Sequence, residues 1–306
     1  MKNTFILCLI LVFAGTLLNA QQDAQYNLYQ FNQLIINPAY AGARNGLSAI
    51  GSVRQQWAGI EGAPLTSCFS VHSPIADKNL GVGVTLLTDK LGPKSMFGFY
   101  GNAAYILNFS KDWKLSLGLN AGYNRYQFNS EKIKMLVAEN PNVFVQDQIS
   151  NSLDIGSGAY LKSNDFFFGI SATHLNSPSV AQYQINNGSI VYKLKTHLFV
   201  SAGKSFKFSE TLIFAPTVLV KMVNGQVNAD VNFNFLLNKK IWLGAFYRSG
   251  YGPGFLFQCY VFETWRVALS YDTGLQDASR LGGSYEIMIG FDMGPKKVKI
   301  VNPRFL

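Results

Sequence analysis

Residues 225–237 read GQVNADVNFNFLL, and this stretch decides the architecture. Val227, Ala229, Val231, Phe233 and Phe235 alternate with Asn228, Asp230, Asn232 and Asn234. Successive side chains of a β-strand point to opposite faces, so strict alternation gives one apolar and one polar face. Only 14% of the chain is charged, against about 25% in an ordinary soluble domain, while 14% is aromatic. An apolar face this aromatic in a chain this poor in charge suits lipid better than a soluble core. The expected fold is all-β, a transmembrane antiparallel β-barrel.

Other segments obey the same rule. Trp113, Leu115, Leu117, Leu119, Ala121 and Tyr123 oppose Lys114, Ser116, Gly118, Asn120, Gly122 and Asn124, with an aromatic residue at each end of the apolar row, as two membrane interfaces require. Trp265, Val267, Leu269 and Tyr271 oppose Arg266, Ser270 and Asp272, and Leu281, Tyr285, Ile287, Ile289 and Phe291 oppose Ser284, Glu286 and Asp292. Lys114, Asn120, Asp230, Arg266, Asp272 and Glu286 are therefore expected in the lumen. Turn signals divide the chain into about fourteen strands, an even number as bacterial single-chain barrels have. The expected spans are 46–57, 64–73, 79–88, 95–108, 113–128, 150–162, 166–175, 190–206, 211–223, 226–237, 240–249, 253–262, 264–273 and 281–292.

Connection lengths orient the barrel. With the first strand entering from the periplasm, the short connections near 74–78, 109–112, 163–165, 207–210, 238–239 and 263 fall on the periplasmic side. The two longest, 129–149 and 176–189, fall outside, as such barrels have short periplasmic turns and longer outer loops. Both termini are then periplasmic. Residues 1–20 read as a removed signal peptide: Lys2, an apolar core over 5–18 and a small residue, Ala20, before Gln21. That apolar run is shorter than the roughly 20 residues of a spanning helix. The expected organisation is signal peptide 1–20, periplasmic segment 21–45, barrel 46–292 and periplasmic tail 293–306.

Net charge is +9, and 25 basic against 17 acidic residues leave +8 once Lys2 is removed with the signal peptide. The basic residues are scattered and no basic helix or aromatic RNA-binding motif appears, so attraction to acidic headgroups is the expected consequence, and no nucleic-acid partner is expected. Cys68 and Cys259 have no metal-type spacing; they either pair in an oxidising envelope or stay free. His72, His174 and His197 are isolated in the sequence, and no H-E-x-x-H, G-x-S-x-G or phosphate-binding glycine loop is present. No enzymatic activity, cofactor or metal site is expected. Barrels of this width also serve as solute routes, so a fatty-acid-transporter-like or porin-like uptake protein is the rival reading, with 21–45 and the 129–149 loop as the two candidate plugs of the lumen.

Residues 22–42, QDAQYNLYQFNQLIINPAYAG, resemble the opening signature of the PorP/SprF family of outer-membrane proteins of the type IX secretion system. RQQWAGIEGAPLTSCFSVHSPI at 54–75 is similar to that family's first hairpin, GVGVTLLTDKLGP at 81–93 to its following strand and loop, and SYEIMIGF at 284–291 with NPRFL at 302–306 to its C-terminal end. The resemblance implies an integral outer-membrane protein that partners secreted cargo bearing a C-terminal signal domain, including gliding adhesins, or contacts periplasmic secretion-ring proteins. Asn37-Pro38 disfavours helix ahead of the proline, and Ala39, Ala41 and Gly42 are small enough for close packing, so 37–42 reads as a turn seating the segment against the barrel mouth. Tyr26, Tyr29, Phe31, Asn37, Pro38 and Tyr40 then either anchor on the barrel base or meet a partner. Arg54, Gln55, Gln56, Trp57 and Glu61 form either a partner surface at the outer rim or, for Trp57, part of the aromatic girdle.

Overall fold

The computed structural model describes residues 23–44, 46–75, 78–129, 148–185, 188–275, 279–280 and 282–293. The expected signal peptide, most of the 129–149 connection, Leu281 and all of the expected tail but Met293 lie outside them.

One closed antiparallel wall runs through β1 (Leu47–Gln55), β2 (Leu65–Pro74), β3 (Leu80–Leu91), β4 (Lys94–Asn108), β5 (Lys114–Phe128), β6 (Gln148–Lys162) and β7 (Phe166–Thr173). After a separate two-stranded sheet of β8 (Ser179–Ile185) and β9 (Gly188–Lys193), the wall resumes with β10 (His197–Lys204) and β11 (Phe206–Lys207). It continues through β12 (Leu212–Phe214), β13 (Thr217–Val223), β14 (Gln226–Leu237), β15 (Ile241–Arg248), β16 (Gly252–Tyr260), β17 (Trp265–Asp272) and β18 (Ser284–Met293). β18 pairs with β1, Met293 opposite Leu47 and Tyr285 opposite Gln55, which leaves no open edge. β11 prolongs β10, and β12 prolongs β13 across Ala215-Pro216, where the proline has no N–H for the ladder. The wall therefore has fourteen staves.

The expected spans match the observed strands closely except at 190–206. Gly188–Lys193 belongs to the β8–β9 hairpin, and the stave begins only at His197. Alternation persists through both pieces, and periodicity alone does not mark where a strand leaves the wall.

Facing follows the expected rule. Leu117, Leu119, Phe233, Phe235, Leu269 and Ile287 are exposed on the outer surface, where lipid covers them, while Asp230, Arg266, Asp272 and Glu286 are buried inside. Lys114 and Asn120, on the same inward row, are partly buried. Asn224-Gly225 joins β13 to β14 with positive φ at both residues (49° and 81°), the tight hairpin turn that matches strand twist. Ile75, Lys78 and the turns 109–113, 163–165, 208–211, 238–240 and 261–264 share one end of the barrel, with Leu47 and Met293; we call it the short-turn end. The opposite end carries 56–64, the end of β5, the start of β6, the β8–β9 hairpin and 273–275, and is called the long-loop end.

β15 breaks the rule in an informative way. In IWLGAFYR, Ile241, Leu243 and Tyr247 are exposed outside, yet Trp242 and Phe246 are buried inside. Apolar side chains on both faces need apolar matter on both sides, and here it comes from residues 28–43. Leu28, Phe31, Leu34, Ala39, Tyr40, Ala41 and Ala43 share one core with Ile50, Tyr160, Phe167, Leu236, Trp242, Phe246, Leu256 and Met288 of the wall. The core of this membrane protein lies in its lumen.

Candidate functional site: the filled lumen

Of the two places open to 21–45, the periplasmic face and a plug of the lumen, its described part takes the lumen. Residues 27–34 and 36–43 are all buried, and the chain runs from the long-loop end at Asp23 to the short-turn end at Arg44. The physical reason is width. A barrel of fourteen staves is too wide for its own side chains to fill, so the space takes either water or another piece of chain. Three single 3₁₀ turns, Tyr29–Phe31, Gln33–Ile35 and Pro38–Tyr40, fold that piece compactly enough to fit.

At the short-turn end the contact is backbone on backbone. Pro38 sits at the first position of its turn, and Asn37 caps it, its Oδ1 accepting from the Ala39 N–H at 2.9 Å. Asn37 Nδ2 donates to the wall carbonyls of Ala159 (3.0 Å) and Ile170 (3.4 Å). A Cβ on Gly118 of β5 would stand 2.3 Å from Ala39 N, and one on Gly81 of β3 would stand 2.1 Å from the Ala41 carbonyl oxygen. Only glycine permits so close an approach at those places. Gly42 (φ +71°) donates its N–H to His72 Nδ1 at 3.1 Å, and Tyr40 meets His72 and Tyr160 edge-on. Arg44 then clamps Asp292 with one guanidinium nitrogen (2.8 and 2.9 Å), and Lys162 holds the Ala43 carbonyl.

Through the middle, amides meet amides. Asn232 Nδ2 donates to the Tyr29 hydroxyl at 2.7 Å, Gln30 exchanges bonds with Asn234 (3.0 and 3.3 Å), and Ser70 donates to Asn32 at 2.8 Å. Buried polar groups need such partners. Toward the long-loop end the wall becomes charged. Arg54 pairs with Asp272 at 2.8 Å and reaches Glu286 at 3.8 Å, and Asn27 joins both carboxylates, its N–H donating to Glu286 at 2.6 Å. Arg248 links Asp230 (3.0 Å) to the Gln25 side chain (2.9 Å) and the Tyr26 carbonyl (3.0 Å), while Lys221 holds Asp230 at 2.8 Å. A cavity of about 110 Å³ remains, lined by residues including Tyr26, Asp89, Lys94, Tyr100, Asn120 and Asp154.

The structure thus gathers Tyr29, Phe31, Asn37, Pro38 and Tyr40 inside the barrel, with Tyr26 half-buried at its upper margin, instead of at the barrel mouth or on a partner face. Arg54 is also corrected: Val53 faces lipid, so its neighbour faces the lumen, where it is 2% exposed. Gln56 is buried, and Gln55 is tied to the Gln56 and Pro64 carbonyls. Trp57 is half-buried with a left-handed backbone (φ 51°), its N–H donating to Ser284 Oγ at 3.3 Å. Glu61 alone of the expected rim residues is exposed. Cys68 and Cys259 are free thiols.

Sequence reasoning missed one grouping. His174 and His197, separated by the β8–β9 hairpin, meet with ring centroids 5.5 Å apart, and Asp23 joins them. Burial opposes charge on His174, yet the carboxylates of Asp23 and Asp154 hold its pKa up at about 10. Burial likewise opposes charge on Asp23, and the facing His174 and His197 rings outweigh it, holding the carboxyl well below the usual range. No spacing rule could have found the trio, because its members come from the lumen segment and from two ends of a long connection.

The family model described as type IX secretion system membrane protein PorP/SprF matches residues 18–291. The chain belongs to that family. This PorP/SprF protein is accordingly an integral outer-membrane β-barrel of type IX secretion. No curated protein matches it. Among solved structures it is similar to the CymD monoaromatic hydrocarbon channel, at 10% identity and a TM-score of 0.52, over 89% of this chain and 94% of that one. It is also similar to a Pseudomonas aeruginosa FadL homologue at 9% identity (TM-score 0.47, 86% and 93% covered) and to the Pseudomonas putida toluene transporter TodX at 10% (0.45, 86% and 91%). At such identities the likeness to CymD concerns the fold.

Proposed function

We propose that this PorP/SprF barrel partners secreted cargo bearing a type IX C-terminal signal domain, supporting its export or its attachment at the cell surface, and that it catalyses no reaction. A gliding adhesin is one cargo of this kind. The observation that carries the reading is the filled lumen: residues 27–43 share a continuous core and hydrogen-bond network with the wall. A barrel packed in this way offers its two rims, not a pore, as working surfaces. The long-loop end, with the β8–β9 hairpin and exposed Glu61, faces outward and meets cargo. The short-turn end faces the periplasm, where secretion-ring proteins lie within reach.

Deleting the gene tests the proposal. One or a few large proteins should vanish from the cell surface while other type IX cargo continues to leave. Loss of every type IX substrate would place the protein in the core machinery, and normal display with slow growth on one solute would identify a transporter. Orientation has its own test: a tag at Asn187 should be labelled on intact cells, and a tag after Leu306 should not.

A further inference from the structure

We propose that Asp23, His174 and His197 form a binding site for one divalent transition-metal ion, with Zn²⁺ as the ion their chemistry fits. One ring nitrogen of each histidine and one carboxylate oxygen of Asp23 lie within 4.8 Å of one another. His174 Nε2 stands 3.0 Å from both Asp23 oxygens, and His197 Nδ1 stands 3.8 Å from Asp23 Oδ2. Two imidazoles and a carboxylate are donors that zinc takes at about 2.0–2.2 Å, leaving a fourth position to water. Donors around such an ion are roughly 3.4 Å apart, so small side-chain movements close the group on it.

The surroundings are those of a ligand set. His174 Nδ1 lies 2.6 Å from Asp154 Oδ2, and this outer carboxylate fixes the ring with Nε2 turned to the group. His197 is 5% exposed; its Nδ1 lies 2.9 Å from the Lys195 carbonyl, and its Nε2 is buried with no hydrogen-bond partner. Ligation through Nδ1, the nitrogen that faces Asp23, gives up the Lys195 contact and moves the ring proton to Nε2. Asp23 is about a third exposed (32%), which gives an ion a path from the long-loop end. On binding, the ion takes His174 Nε2 in place of that nitrogen's contact with Asp23, and a proton held on Nε2 leaves to solvent.

Placement gives the site a consequence. Asp23 belongs to the lumen segment, while His174 and His197 stand at the two feet of the connection that carries the β8–β9 hairpin. The ion would staple the start of the segment to the base of that hairpin.

The test uses the full chain in detergent, purified through a tag without histidine, stripped with a chelator and titrated with Zn²⁺ alone. One equivalent should bind, and Co²⁺ in its place should give the intense visible absorption of a four-coordinate ion. Asp154→Asn should weaken binding about 10–100-fold, and Asp23→Asn, His174→Asn and His197→Asn should weaken it more. Heat-modifiable gel mobility checks that each barrel is closed. Asp23 is itself part of no wall strand, so Asp23→Asn remains informative if a histidine variant does not fold. Absence of stoichiometric binding to the wild type, or unchanged affinity in Asp23→Asn, would overturn the proposal.

Discussion

The two halves of the lumen segment are held by opposite means. Residues 37–42 fit because the wall is missing side chains: Gly81 and Gly118 leave room for the backbone of Ala39 and Ala41. Residues 25–28 fit because the wall supplies side chains: Arg54, Arg248, Asp230, Asp272 and Glu286 reach in to bond them or to position the groups that do. A seat made by shape fails when atoms are added. A seat made by charge fails when atoms are removed, because each buried ion depends on its partner. The difference also separates specificity from adaptability, since a glycine bed accepts one backbone path, whereas a guanidinium can exchange one acceptor for another.

The sharpest way to break the comparison is Arg54→Met. It leaves Asp272 and Glu286 facing each other without their cation, and removal of one partner from a buried pair costs about 3–5 kcal/mol. The thermal transition of the folded band on gels should drop strongly, and a drop no larger than for a surface substitution would show that the charged half is not needed. Gly118→Val comes next. Its side chain would collide with the Ala39 backbone, and overpacking costs about 1–3 kcal/mol, occasionally more. The barrel should still insert but release the segment, read as new protease cleavage within 23–44 and as stable single-channel conductance. A closed, resistant variant would mean that the glycine bed is not what seats the segment. Asn37→Ala removes the cap of the Pro38 turn and two bonds to wall carbonyls, for about 1–2 kcal/mol, and should raise the cleavage rate about tenfold. Gly101→Ala is the small end of the series. Nothing lies closer than 3.9 Å to a Cβ there, so stability should stay within about 0.5 kcal/mol of wild type. A larger loss would show that wall glycines matter for reasons other than room.

The proposed function and the structure meet at the same contrast. If cargo acts through the rim, Gly118→Val should conduct yet still display cargo, provided that the loops keep their shape. If release of the segment also abolishes display, the segment itself belongs to the partner surface.

Reading by alternation succeeded wherever one face met lipid and the other met polar matter, as at 113–123 and 225–237. Where both faces met apolar matter, as on β15, turn signals still bounded the strand, but alternation named no lipid face. Trp242 and Phe246 on the inner row of β15 were a legible sign of a filled lumen, since a water-filled barrel has no use for them there. Arg54 was legible too, once counted from lipid-facing Val53. The meeting of Asp23, His174 and His197 was not, because their separation in sequence carries no period and no motif.

By itself the sequence determined the barrel, its fourteen staves, which residues face lipid and the PorP/SprF membership of the chain, because strand periodicity, turn residues and an opening signature are local properties that each segment carries alone. Only the tertiary structure decided where residues 23–44 go, which ionic partners Arg54 and Arg248 find and which histidines meet. Those outcomes depend on the space left when the wall closes, and that space is a property of all the staves together, written in no one of them.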